Sequence, residues 1–171
     1  LHIASVHDDA QQTAPHEPER VVTPELFEAA LEHAYTRFPL LSTGQQALAY
    51  AVRVVSEAPG GVLIHCAAGK DRTGTVSAVL LAALGVPEDQ ILADYAASTE
   101  RIVAILTKLG FMAGAGSGEH DADVQSQSTP PELMELVLRR VARDFGSVAG
   151  WLELNGWTAD DQAGLEAKLL G

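Results

Sequence analysis

A short apolar run, a glycine-bearing loop and an apolar helix follow one another without interruption, and this unit restricts the fold more than any other feature of the chain. Val62, Leu63 and Ile64 stand directly after the turn signal Pro59-Gly60-Gly61. A continuous apolar run of that length predicts a short buried strand. The loop is Cys66-Ala67-Ala68-Gly69-Lys70-Asp71-Arg72. Residues 73–84 then read as a helix, stopped by Gly85 and Pro87. Backbone N–H groups of a loop in that setting can point inward as an anion nest, and the helix start adds partial positive charge.

The rest of the chain supplies mostly helices. Residues 1–6 read as an opening strand and residues 7–20 as a polar loop holding Pro15 and Pro18. Thr23-Pro24 caps a helix that ends at Pro39. Thr43-Gly44-Gln45-Gln46 has the form of a capping box, opening a helix to about residue 58. Helices are expected over 88–98 and 99–109. Residues 111–128, rich in Gly, Ser, Asp and Gln, read as a mobile loop or lid. Thr129-Pro130-Pro131-Glu132 predicts another capping box, opening a helix to about residue 145. Short helices over 148–154 and 160–170 close the sequence. The expected fold is α/β, a small central sheet covered by helices, in a single domain over residues 1–171.

Composition limits what such a domain can meet. Of the 171 residues, 47% are apolar, enough for a core. The run 79–84 is among the longest apolar stretches, far short of the ~20 residues of a membrane span. The formal net charge of −12 repels nucleic-acid backbones and anionic surfaces, so an anionic substrate needs a locally positive site. With one cysteine, no disulfide can form within the chain.

That cysteine opens the loop and Arg72 closes it, with five residues between them. A thiol there has its thiolate stabilised by the nest, the helix dipole and the guanidinium, which makes it a nucleophile at neutral pH. Arg72 can bind two equatorial phosphate oxygens at once. A lone cysteine at a strand end is usually a structural core residue, but the glycine before this arginine and the Thr73-Gly74 after it favour chemistry. A nucleotide P-loop does not fit, because Asp71 follows Lys70 and Ile64 occupies the place of the first glycine. A sulfur-transfer enzyme also uses a cysteine in a positive loop, without a comparable need for the threonine. A catalytically silent phosphate-binding module is the alternative from another class.

The segment His65-Cys66 through Arg72-Thr73-Gly74 resembles the signature loop of cysteine-dependent protein tyrosine phosphatases. Its fuller form is similar to a bacterial and fungal branch that also dephosphorylates phosphoinositides. Asp94-Tyr95-Ala96-Ala97-Ser98 resembles that branch's D-Y-x-x-S helix. Phe145-Gly146-Ser147 through Gly156, and Leu169-Leu170-Gly171, resemble its ending. Members of the family carry further residues, sheet strands among them, before the point matching Leu1. The expectation is therefore a domain lacking its N-terminal part in this chain.

The resemblance implies Cys66 as nucleophile, forming a phosphocysteine, and Arg72 as phosphate ligand. The amides of Ala67, Ala68, Gly69, Lys70, Asp71 and Arg72 would complete the cradle. His65 would orient the loop and help keep Cys66 ionised, and Thr73 would donate its hydroxyl to the departing thiolate. Lys70 could meet an extra phosphate on an inositol ring. Asp71 holds substrate or loop, or caps the helix. The partners implied are a phosphotyrosine protein or a phosphoinositide, with inorganic phosphate as product and no cofactor.

A leaving phenolate or alkoxide needs a proton donor. Asp8, Asp9, Asp71 and Asp94 are candidates. Asp71 lies beside Arg72, whose charge should keep it ionised. Asp94 is expected on a helix, facing the core side, where it and Tyr95 pack behind the signature loop in a structural, hydrogen-bonding role. Asp8 and Asp9 follow the opening strand, at the exit where α/β proteins place their sites. The branch's acid matches Asp8, with Asp9 one residue away. No metal is expected: His2, His7 and His16 lie near Asp8, Asp9 and Glu17 without ligand spacing. Trp151 and Trp157 are expected in the core. The reading for localisation is a soluble protein, cytoplasmic or secreted, with no integral membrane segment.

Overall fold

The computed structural model describes residues 42–66, 68–101, 104, 108 and 128–171. Six α-helices are bounded within them: α1 (Ser42–Glu57), α2 (Asp71–Ala83), α3 (Glu88–Ala96), α4 (Pro131–Phe145), α5 (Val148–Leu154) and α6 (Ala159–Leu169). A 3-10 turn, Ala97–Arg101, continues α3. The opening strand, the polar loop after it, the helix expected from Thr23 and the segment 111–127 lie outside the described residues. No described helix is long and apolar enough to cross a membrane.

The helices form where apolar residues recur at helical spacing. In α1, Leu48, Ala51, Val52 and Val55 are buried, the i, i+3, i+4, i+7 stripe of one face. In α4 the stripe is Met134, Val137, Leu138 and Val141. Helix α2 differs. Thr75, Val76, Ala78, Val79 and Leu80 are all buried, so its sides are covered in more than one direction. It packs against α1, α3 and α5.

Two apolar clusters result. The first joins α1, α2 and the C-terminal helices around Leu48, Val52, Val76, Trp151 and Leu165. The second joins α2, α3 and α4 around Ala78, Ile91, Tyr95, Met134 and Val137. Val148 packs against both. Polar contacts lock α6 onto its neighbours. Arg53 Nη1 on α1 donates to Asp161 Oδ1 at 3.1 Å, and its Nη2 donates to the Gly156 carbonyl at 2.7 Å. Its guanidinium also lies over the Trp157 ring, 5.8 Å from the centroid. Gln162 Nε2 donates to the Ala83 carbonyl at 2.8 Å, satisfying an acceptor at the end of α2 that the helix leaves open.

The expected strand at residues 62–64 is not one here. These residues are irregular, and His65 alone makes a β-bridge. A ladder needs a neighbouring strand, and no described residue forms one. Nor is the run buried throughout. Val62 and Ile64 pack against the first cluster, while Leu63 is 76% exposed. The side chains alternate as in an extended chain, with one face on the core.

Two expected caps also differ. Helix α1 begins at Ser42, so Thr43 lies inside it. Helix α4 has Pro130 at its N-cap and no side-chain cap. Thr129 is fully buried and turns elsewhere: its N–H donates to Thr99 Oγ1 at 2.9 Å, and the two hydroxyls lie 2.8 Å apart. A buried threonine must satisfy its polar groups, and Thr99 on the 3-10 turn does so here.

Candidate active site

The site is built on the start of α2. Cys66 ends the irregular stretch and is half-buried. Three residues later Gly69 takes φ +72°, a left-handed conformation that side chains rarely adopt. That turn aims the Gly69 N–H at the Cys66 sulfur. Helix α2 begins at Asp71, two residues before the expected start, which puts Arg72 and Thr73 in its first turn. The Thr73 hydroxyl and N–H lie by the same sulfur and favour its charged form, although the buried hydroxyl closes no hydrogen bond of ordinary geometry.

These contacts decide the ionisation of the thiol. Burial, the largest single influence, pushes it up. The Thr73 hydroxyl, the Thr73 N–H, the Gly69 N–H and the Arg72 charge together outweigh burial and hold Cys66 below the ordinary thiol value. A thiol lowered by such surroundings is more thiolate, and so more nucleophilic, at neutral pH than an ordinary one.

Other expected members of the cradle are placed as follows. Ala67 lies outside the described residues. Ala68 is half-buried beside Gly69, and His65 is exposed. The shift on the thiol comes from Thr73, Gly69 and Arg72 rather than from His65. Lys70 is only 5% exposed, and its ammonium donates to Asp71 Oδ1 at 2.9 Å. Its charge is therefore directed at Asp71 rather than displayed at a mouth. Asp71 makes no cap, since the N-cap position is Lys70 and carries no side-chain cap bond. The first turn is closed instead by Gly74 N–H to the Lys70 carbonyl at 2.8 Å and Thr75 Oγ1 to the Asp71 carbonyl at 2.9 Å.

The aspartate candidates separate. Asp8 and Asp9 lie outside the described residues. Asp94 is exposed, contrary to the core-side position expected from the helix pattern, because Tyr95 takes the inward place. Among the described residues, no three His, Cys, Asp or Glu side chains gather as a metal site would require.

One contact was not anticipated in this detail. A Cβ on Gly74 would lie 2.8 Å from Tyr95 Cδ2 and 3.0 Å from Cε2. The Tyr95 ring thus presses on the backbone of the first turn of α2. The signal was present in the sequence as a glycine following Arg72-Thr73 and a tyrosine in an amphipathic helix, but nothing in either position names the other.

The profile of the tyrosine phosphatase family matches the chain over residues 1–171. The chain belongs to the tyrosine phosphatase family. It is 43% identical over 100 residues to a Cupriavidus necator protein classed by name with the tyrosine-protein phosphatases, a match covering 57% of this chain and 35% of that protein. It is 34% identical over 122 residues to the triple specificity protein phosphatase PtpB of Mycobacterium tuberculosis, covering 61% and 44% respectively. A tyrosine-protein phosphatase of Nostoc commune is 28% identical over 122 residues, covering 68% and 42%. The chain thus spans less than half the length of these curated relatives.

Proposed function

We propose that this chain carries the catalytic loop of a cysteine-dependent phosphatase that hydrolyses phosphotyrosine, and phosphoinositide monoesters as well, through a phosphocysteine. The observation that carries the reading is the Cys66 sulfur, held below the ordinary thiol value by Thr73, Gly69 and Arg72 at the start of a helix. In the first step the thiolate attacks phosphorus, and the leaving oxygen departs with a proton from a carboxylic acid. In the second, that carboxylate takes a proton from water. The water oxygen then attacks phosphorus, and the thiolate leaves as inorganic phosphate is released. Thr73 stabilises the sulfur as its charge returns. Arg72, with the loop amides, binds the equatorial phosphate oxygens throughout.

Asp8 is the acid in this reading, supported by its place after the strand expected at residues 1–6 and by the resemblance, in which the branch's acid matches this position. The triple specificity named for the Mycobacterium tuberculosis relative supports a range wider than phosphotyrosine. Lys70 serves an inositol phosphate only when its pair with Asp71 opens.

Hydrolysis of p-nitrophenyl phosphate by the full-length protein, and by Cys66→Ser, is the test. Turnover should vanish in Cys66→Ser while phosphate-ester binding persists, because the donors survive and only the thiolate is lost. Binding without turnover in the unaltered protein would instead identify a silent phosphate-binding module. Asp8→Asn should slow esters with basic leaving groups by roughly 10² or more and those with acidic leaving groups far less. Equal losses for both would move the assignment from Asp8.

A further inference from the structure

The first turn of α2 holds Thr73, whose hydroxyl and N–H lie by the Cys66 sulfur and favour its thiolate. At the next residue, Gly74, that turn meets the ring of Tyr95. A Cβ there would stand 2.8 Å from Tyr95 Cδ2, 3.0 Å from Cε2 and 3.8 Å from Met134 Cε. Approaches under 3 Å require something to move. Tyr95 is 3% exposed and Met134 is 1% exposed, so neither has open space to move into.

The ring is also fixed from behind. Tyr95 lies in the last turn of α3, and the 3-10 turn that follows carries Thr99. Met134 lies in the first turns of α4, just after Thr129. The Thr129 N–H and hydroxyl both meet Thr99 Oγ1, at 2.9 and 2.8 Å, with Thr129 fully buried. This clasp joins the end of α3 to the start of α4. Both side chains that face Gly74 are thereby held at one relative position.

We propose that Tyr95 is a positioning residue for the catalytic loop: its ring stops the first turn of α2 at Gly74 and so fixes the Thr73 donors against Cys66 Sγ. The ring acts through contact and touches no reacting atom. The phenolic oxygen has no part in it, since the atoms that meet Gly74 are ring carbons. The charge acting on the sulfur is that of Arg72, in the same turn, so a displaced turn moves donors and charge together.

The consequence for turnover rests on the reading of Cys66 as nucleophile, but the test does not require turnover. The pH dependence of Cys66 alkylation by iodoacetamide is measured on the full-length protein, where the thiolate fraction sets the rate. Gly74→Ala should move the midpoint up by about one unit, the size of one charge-assisted hydrogen bond. Tyr95→Phe should leave it unchanged. Tyr95→Leu should raise it, because the stop is gone. In Gly74→Ala with Tyr95→Leu the new methyl fills the space the ring vacated, and the midpoint should return toward that of the unaltered protein. Leu165→Ala, in the other cluster, is the control for general destabilisation and should not move it.

A folded Gly74→Ala protein with an unshifted midpoint would overturn the proposal, as would a double variant whose shift is the sum of the single ones. If Gly74→Ala does not fold, Tyr95→Leu decides alone: a raised midpoint supports the role, and an unshifted one removes it. A normal alkylation profile in a protein without hydrolase activity would sink the phosphatase reading and leave this inference standing.

Discussion

At Cys66 two opposed effects act on one atom. Burial disfavours the thiolate, and the Thr73 hydroxyl is the strongest of the groups that favour it. Thr73→Val keeps the shape and removes that donor. The thiol midpoint should rise by about one unit, since a hydrogen bond to a charged acceptor carries roughly that much. The acid limb of the kcat/KM profile should move up with it. An unmoved limb would show that the sulfur does not take the hydroxyl's proton. Lys70 supports the same anion site less directly. Its ammonium on Asp71 Oδ1 neutralises a carboxylate next to Arg72. Lys70→Met leaves that negative charge beside the cradle, so KM for p-nitrophenyl phosphate should rise several-fold. Adding Asp71→Asn should restore it. A double variant no better than Lys70→Met would place the lysine's effect elsewhere.

At the scale of elements, a sequence pattern fixes a helix more securely than it fixes the helix's ends. Helices α1 and α4 were legible, and burial of one face at a 3.6-residue period holds each in place. Their caps were not, because a threonine at a helix start chooses among all the acceptors and donors that tertiary structure brings near. Thr129 took Thr99, which lies 30 residues earlier in the chain. Thr158 passed without notice and is a true cap. Its hydroxyl accepts from the Asp161 N–H, and Asp161 returns a bond to the Thr158 N–H, which closes a capping box on α6. In the Cys66 loop, the nearness of Arg72 and Thr73 to the thiol was legible, because a short loop entering a helix brings residues in that order together. The burial of Lys70 was not, and for Tyr95 only its place behind the loop could be expected, not Gly74 as the point of contact, since both depend on packing between separate elements. The capping box has a pH signature. The Thr158 N–H, then its hydroxyl, then the Arg53 charge hold the Asp161 carboxyl below its usual range, against the opposing effect of burial. A carboxyl lowered on folding contributes stability that is present above its unfolded pKa and is lost as pH falls through the folded one. Thr158→Ala should therefore cost about 1 kcal/mol at neutral pH. It should also flatten the loss of stability on acidification below the ordinary aspartate range. A variant with the same acid limb as the unaltered protein would show that the cap and the titration are not linked.

At the scale of the whole molecule, the Cys66 loop is held by a helix that belongs to two cores. Helix α2 gives Val76, Val79 and Leu80 to the first cluster and Ala78 to the second, and Val148 bridges them. Neither cluster can be lost without uncovering a side of α2, so the two should melt as one unit. The chain carries its own reporters for this. Both of its tryptophans, Trp151 and Trp157, belong to the first cluster, and its one cysteine lies at the loop that the second cluster backs through Tyr95. Tryptophan fluorescence then reads one side and thiol accessibility the other. In a urea titration the two midpoints should coincide. Leu165→Ala, with Leu165 fully buried in the first cluster, should cost about 2–5 kcal/mol. Met134→Ala in the second should cost a similar ~2–5 kcal/mol. Each should shift both traces by the same amount, although each lies in only one cluster. The alternative is a local opening, in which α3 and α4 leave α2 while the first cluster persists. Met134→Ala would then expose the thiol at lower urea and leave the tryptophan transition in place. That result would mean the loop's support is a separate, weaker unit, and that the chain can lose its catalytic geometry while most of its helices remain folded.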